Sequence, residues 1–159
     1  MVLYTLLFSL LSLKKYYNFS YNAYDLAIFN QVFFNTLHGD WFAGTVNQNI
    51  YLADHLAPII FLLLPFYWIK QSPETLLVLQ SAILALSAWP IYLIAKNIIK
   101  EKFIALIVSL MWLLNPFIHT ANAFEFHLLP IAVLLVFWTF YFYQKKSFKL
   151  FVLFFVLAL

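Results

Sequence analysis

At 159 residues the chain is 65% hydrophobic, 21% aromatic and only 9% charged, whereas a soluble domain carries roughly 25% charged residues to hydrate its surface. That shortage of charge excludes a water-exposed globular domain and requires lipid as solvent, and the absence of cysteine excludes disulfides and thiolate metal sites. The net charge of +3 comes from nine lysines with no arginine; beside apolar runs these mark membrane orientation, so a nucleic-acid partner is not expected, and two glycines leave no phosphate-cradling loop.

The first apolar run, Val2–Leu13, lacks the basic start and small-residue cleavage site of a signal peptide and reads as a short first span. Residues 24–38 predict an amphipathic helix lying on the membrane. Leu26, Phe29, Phe33 and Leu37 fall in one arc, with Gln31, Asn35 and His38 opposite. Gly39 supplies a C-terminal stop, and Asn22 or Asp25 can cap the start. Leu56–Ile69 would measure about 21 Å as a helix and contains Pro58 and Pro65, so it is expected to be re-entrant or interfacial. Further spans are expected at Thr75–Ala95, Phe103–Ile118, Leu128–Tyr143 and Leu150–Leu159. Pro90 and Pro116 read as kinks, and Gln80 and Asn115 as interhelical hydrogen-bond partners. Leu150–Leu159 covers only about half of a ~30 Å hydrocarbon core, so the chain is expected to be the N-terminal part of a longer protein. The fold class is therefore all-α, a single multi-span domain in the cell membrane.

Lysines set the sidedness. Lys96, Lys100 and Lys102 form one cluster and Lys145, Lys146 and Lys149 another, and both belong in the cytoplasm. The connection through Glu125 then faces outside. If Leu56–Ile69 does not cross, the long segment before it faces outside too, and Lys14 and Lys15 snorkel from the end of the first span. Nearly all potential chemistry lies in these two outer segments: Asp25, His38, Asp40, Asp54 and His55 in the first, His119, Glu125 and His127 in the second. Each has a plainer reading. Asp25 suits a helix-start acid, Asp54-His55 a capping pair, and Glu125-Phe126-His127 a polar turn. His38, Asp40 and His119 suit solvated or interfacial positions. The acids and imidazoles are ligand types suited to Mg, Mn or Zn, but no pair of histidines one helical turn apart is present.

The segments YDLAIFNQ, LADHLAPI and NPF followed by FEFH, in this order, resemble a family of membrane proteins named domain of unknown function 2079, from about Tyr21 to the end. That family is similar to the glycosyltransferase-C fold of protein mannosyltransferases and aminoarabinose transferases. The resemblance implies transfer of a sugar from a polyprenyl-phosphate donor to an acceptor hydroxyl on the outer face, with inversion. It implies that Asp25 matches the first-loop acid, Glu125 the second-loop acid and Pro58 a proline opening a juxtamembrane helix. Asp25 and Glu125 are then the catalytic candidates, with Asp25 as general base. His55, His127 and Lys70 are candidates for the donor phosphate, and Asp54 with Glu125 for a divalent metal, Mg or Mn. The chain departs from the pattern in having a single first-loop acid, and it holds neither the later spans nor an outer C-terminal domain, so this piece alone is not expected to be active. The alternative is a non-catalytic multi-pass protein that binds or transports lipid or serves as an assembly subunit. Convergence of Asp25, Asp54-His55 and Glu125-Phe126-His127 discriminates between the two.

Overall fold

The computed structural model describes residues 1–22, 24–45 and 59–159, and among these every regular element is a helix. In chain order they are α1 (Val2–Tyr17), α2 (Tyr24–Leu37), α3 (Ile60–Ile69), α4 (Pro73–Leu86), α5 (Ala88–Ile99), α6 (Lys102–Leu113), α7 (Pro116–Ala123), α8 (Leu129–Gln144) and α9 (Phe148–Ala158). The all-α expectation holds. Helices α4 and α5 run on as one apolar rod of 27 residues, Pro73–Ile99, about 40 Å long and sufficient for a ~30 Å core. Helices α6 and α7 meet at a 42° bend and together are long and apolar enough for a broken span or a re-entrant loop. The segments expected at Leu128–Tyr143 and Leu150–Leu159 form shorter apolar helices.

The breaks between helices have local causes. At Ser87 the hydroxyl donates back to the carbonyls of Ile83 and Leu84, and Pro90 removes the N–H that the Leu86 carbonyl would use. The helix boundary thus falls at Ser87, three residues before Pro90. At the α6–α7 bend, Pro116 occupies the first turn of α7, and Asn115 Oδ1 accepts from Phe117 N at 2.9 Å. Asn115 is a helix cap, not the interhelical partner expected from the sequence. Between α5 and α6 the chain turns through Lys100 in the left-handed region, at φ 64°. Glu101 then caps α6 by accepting from Ile104 N at 2.6 Å. That bond, with others from Phe103 and Lys102 N–H, lowers the Glu101 carboxyl pKa. A lowered carboxylate contributes stability above its ordinary titration range and loses it as pH falls through the folded-state value. Thermal melts of wild type and Glu101→Gln are expected to differ in the neutral range and to converge as pH drops below the ordinary glutamate range.

Two apolar cores organise the bundle. One joins Tyr4 and Phe8 of α1 to Leu84, Ala85 and Ala88 of the long rod and Leu113 of α6. The other joins α2, α3, α4 and α8, with Phe126 between them. Leu26, Phe29 and Phe33 of α2 are buried as their spacing requires, but against protein: Phe29 packs edge-on to Phe126 at 5.2 Å and Phe33 meets Tyr67 at 5.3 Å. The helix expected to lay this face on the membrane instead docks it on α3 and on the segment before α8. Its polar side is tied down by Gln31 to Thr45 at 2.9 Å and by Asn35 to the Ala43 carbonyl at 2.9 Å. Helix α3, the described part of the expected 56–69 element, is about 15 Å long and too short to cross. Its Tyr67 hydroxyl bonds Asn30 Oδ1 at 2.8 Å, holding α3 to α2.

Candidate functional site

Helix α2 and the segment between α7 and α8 build the site. The first turn of any helix leaves backbone N–H groups without partners. Here Leu26 N donates to Glu125 Oε2 at 2.9 Å, a buried bond spanning 99 positions of sequence. The Glu125 side chain lies in this contact with the residue only 3% exposed. A carboxylate is favoured at a helix N-terminus, where N–H dipoles converge, which accounts for a buried acid with no cation bonded to it among the described residues. Glu125 therefore does the capping that the sequence suggested for Asn22 or Asp25.

Asp25 is released from that task. Its side chain, 37% exposed, points to His127, with Oδ2 at 3.3 Å from Nε2. The other ring nitrogen of His127, Nδ1, lies 3.1 Å from the Glu125 carbonyl oxygen. A carbonyl only accepts, so Nδ1 carries a proton. The contact between Nε2 and Oδ2 is an ion pair when the ring is protonated. The result is a partly exposed acid–imidazole pair at the start of an anchored helix. On its other side His127 lines a crevice of about 290 Å³ whose walls include Leu84, Ile118, Phe124, Pro130 and Val133. The site thus joins an acid–imidazole pair to an apolar space.

Gln80 holds the His127 side of the site. Buried in α4 at 1% exposure, its Oε1 accepts from His127 N at 2.8 Å, and its Nε2 lies 3.3 Å from the Glu125 carbonyl, 3.4 Å from that of Ala121 and 3.5 Å from that of Asn122. One amide thereby clamps residues 121–127 to the long rod. Ser81 reinforces it by donating to Asn122 Oδ1 at 3.1 Å. Lys15 donates to the Ala123 carbonyl at 2.7 Å and lies over the Tyr21 ring, so its ammonium is held by protein. The sequence reading missed Gln80 as a site residue. The available signal was a lone amide inside an apolar helix, which must find partners. Gln80→Leu leaves the His127 N–H without its acceptor and is expected to cost about 1–3 kcal/mol, read as a lowered thermal midpoint with helical content retained.

The other candidates divide. Asp54 and His55, with Pro58, lie outside the described residues. Lys70 sits at the α3–α4 turn, paired with Glu74 at 3.3 Å, and makes no described contact with Asp25, Glu125 or His127. His38 lies against Phe34 in a tilted ring contact, with Nδ1 2.8 Å from the Phe34 carbonyl oxygen. His119 packs on Phe8 and bonds the Leu113 carbonyl, supporting the α6–α7 bend. Asp40 belongs to the turn after α2. Among the described residues no group of three or more His, Cys, Asp or Glu side chains is placed to hold a metal. Of the expected Mg or Mn ligands, Glu125 is turned to Leu26 and Asp54 lies outside the described residues.

A family model described as "Predicted membrane protein (DUF2079)" matches residues 15–159. No curated protein and no solved structure matches the chain.

Proposed function

The chain belongs to the family of membrane proteins named domain of unknown function 2079, and on that footing we propose that it is a glycosyltransferase of the glycosyltransferase-C type, or part of one. It moves a sugar from a polyprenyl-phosphate donor to an acceptor hydroxyl. The observation that carries this reading is the approach of Asp25 Oδ2 to His127 Nε2 at 3.3 Å, beside Glu125 bound to the same helix turn. In this reading the chain crosses the membrane several times. The Lys96–Lys102 and Lys145–Lys149 clusters are cytoplasmic and the site faces outside, where the lipid tail stays in the bilayer and the headgroup meets the acceptor.

Asp25 is the general base, taking the proton of the acceptor hydroxyl as its oxygen attacks the anomeric carbon and the sugar–phosphate bond breaks. His127 orients Asp25 and, as imidazolium, stabilises charge developing on the leaving phosphate. Glu125 contributes by fixing the α2 N-terminus that carries Asp25. His55 and Lys70 remain further candidates for the phosphate, and Asp54 with Glu125 for a divalent ion.

The test is incorporation of labelled sugar from polyprenyl-phosphate hexoses and pentoses into acceptors, in membranes containing the full-length protein. Transfer that depends on Asp25 supports the proposal, and transfer indifferent to Asp25 removes it. The second reading, a non-catalytic lipid-binding, transport or assembly protein, is favoured by the use of Glu125 as a cap. It expects no labelled product from wild type.

A further inference from the structure

A second cavity, larger than the one beside His127, lies between α1, α3 and α4. We propose that it binds one acyl chain of a membrane glycerophospholipid with an aminoethyl-phosphate headgroup. The inference takes Lys70 for this headgroup in place of the sugar donor's phosphate and rests on no other part of the glycosyltransferase reading. The cavity has a volume of about 580 Å³, and its walls include Leu13, Leu63, Phe66, Val78, Ala82 and Leu86. Its polar residues cluster where α1 ends and α4 begins: Tyr17, Lys70, Glu74 and Thr75. From Glu74 to Leu86 along α4 the groove extends about 18 Å, against about 15 Å for one leaflet of a ~30 Å core. A polar rim above an apolar channel one leaflet deep matches a lipid chain hanging from its headgroup.

The rim selects the headgroup. Lys70 Nζ lies 3.3 Å from Glu74 Oε1, and the Tyr17 hydroxyl donates to the same oxygen at 3.0 Å. The Lys70 side chain is 63% exposed and that of Glu74 18%, so a cation stands beside an anion at the groove mouth. A purely anionic headgroup meets attraction from Lys70 and repulsion from Glu74. A diacylglycerol offers no charge to either member of the Lys70–Glu74 pair. A phosphate bound to Lys70 with a primary ammonium bound to Glu74 complements the two charges in their own order. The ammonium must carry N–H groups to donate to the carboxylate, which a trimethylated choline cannot do.

The test uses the full-length protein in mixed micelles with equimolar dioleoyl phosphatidylethanolamine, phosphatidylcholine, phosphatidylglycerol and dioleoylglycerol, with bound lipid read by native mass spectrometry. The expected result is one retained phosphatidylethanolamine, at least about tenfold over each competitor. Ala82→Trp fills the channel and is expected to abolish retention. Glu74→Gln, at the rim, removes the carboxylate that would hold the ammonium and frees Lys70 from its ion pair, and is expected to shift preference to phosphatidylglycerol, so the headgroup assignment is tested even if Ala82→Trp does not fold. Equal retention of the four lipids overturns the proposal, as does an ethanolamine preference that survives Glu74→Gln.

Discussion

Asp25→Asn is expected to lower sugar transfer by about 10²–10⁴-fold, the usual contribution of a positioned general base, with membrane insertion and yield unchanged. Asparagine preserves size and a hydrogen-bonding oxygen but cannot accept the proton. The fold depends little on this carboxylate, because Glu125, and not Asp25, accepts from the first turn of α2. The pair with His127 is itself about a third exposed on both sides, and partly exposed ion pairs contribute about 0–1 kcal/mol. Loss of transfer with a nearly unchanged thermal midpoint therefore separates catalysis from stability. Transfer at the wild-type rate would take Asp25 out of the mechanism.

Glu125→Ala is expected to do the opposite, lowering stability by about 3 kcal/mol. It removes a charged acceptor and strands the Leu26 N–H in a buried position, and it deletes a carboxylate from the positive end of a helix. Glu125→Gln keeps an oxygen within reach of Leu26 and should recover more than half of the loss. Hydrogen exchange gives the local readout: the Leu26 amide should exchange much faster in the alanine variant and only modestly faster in the glutamine variant. A stable alanine variant with unchanged exchange would show that Glu125 does not anchor α2. A glutamine variant that folds normally but loses all transfer would instead move Glu125 into direct contact with the reacting groups.

Much of the helical order was legible because it is written in local periodicity. The arc of Leu26, Phe29 and Phe33 marks the buried face of α2, and Gly39 at φ 100° follows it as expected. What that face touches was not legible. An apolar stripe packs equally well on lipid or protein, and only the chain path brings Phe126 and Tyr67 under it. The same limit explains Lys15 and Asn115. A lysine at the end of a short apolar run carries no mark distinguishing a headgroup from the Ala123 carbonyl, and an Asn-Pro step suits a cap as well as an interhelical bond. The meeting of Asp25 with Glu125-Phe126-His127 was legible as a possibility of sidedness. The division of labour between the two acids was not, because both stand at positions where a helix start could use them. Gln80 was visible as a polar residue in an apolar helix, but its partners are backbone groups of a distant segment, which no side-chain pattern announces.

The bond from Leu26 to Glu125 also bears on how the protein is made. At roughly 5–20 residues per second, the ribosome needs about 5–20 s to add the 99 positions between donor and acceptor. Over that interval the start of α2 has no Glu125 carboxylate to accept from the Leu26 N–H. Only when Glu125 emerges does the first turn gain its internal acceptor, and with it the site acquires Asp25 and His127 in one place. Assembly of the candidate centre is thereby tied to the order of synthesis: the early acid waits for the later segment, and a nascent chain stalled before residue 125 carries α2 without its anchor.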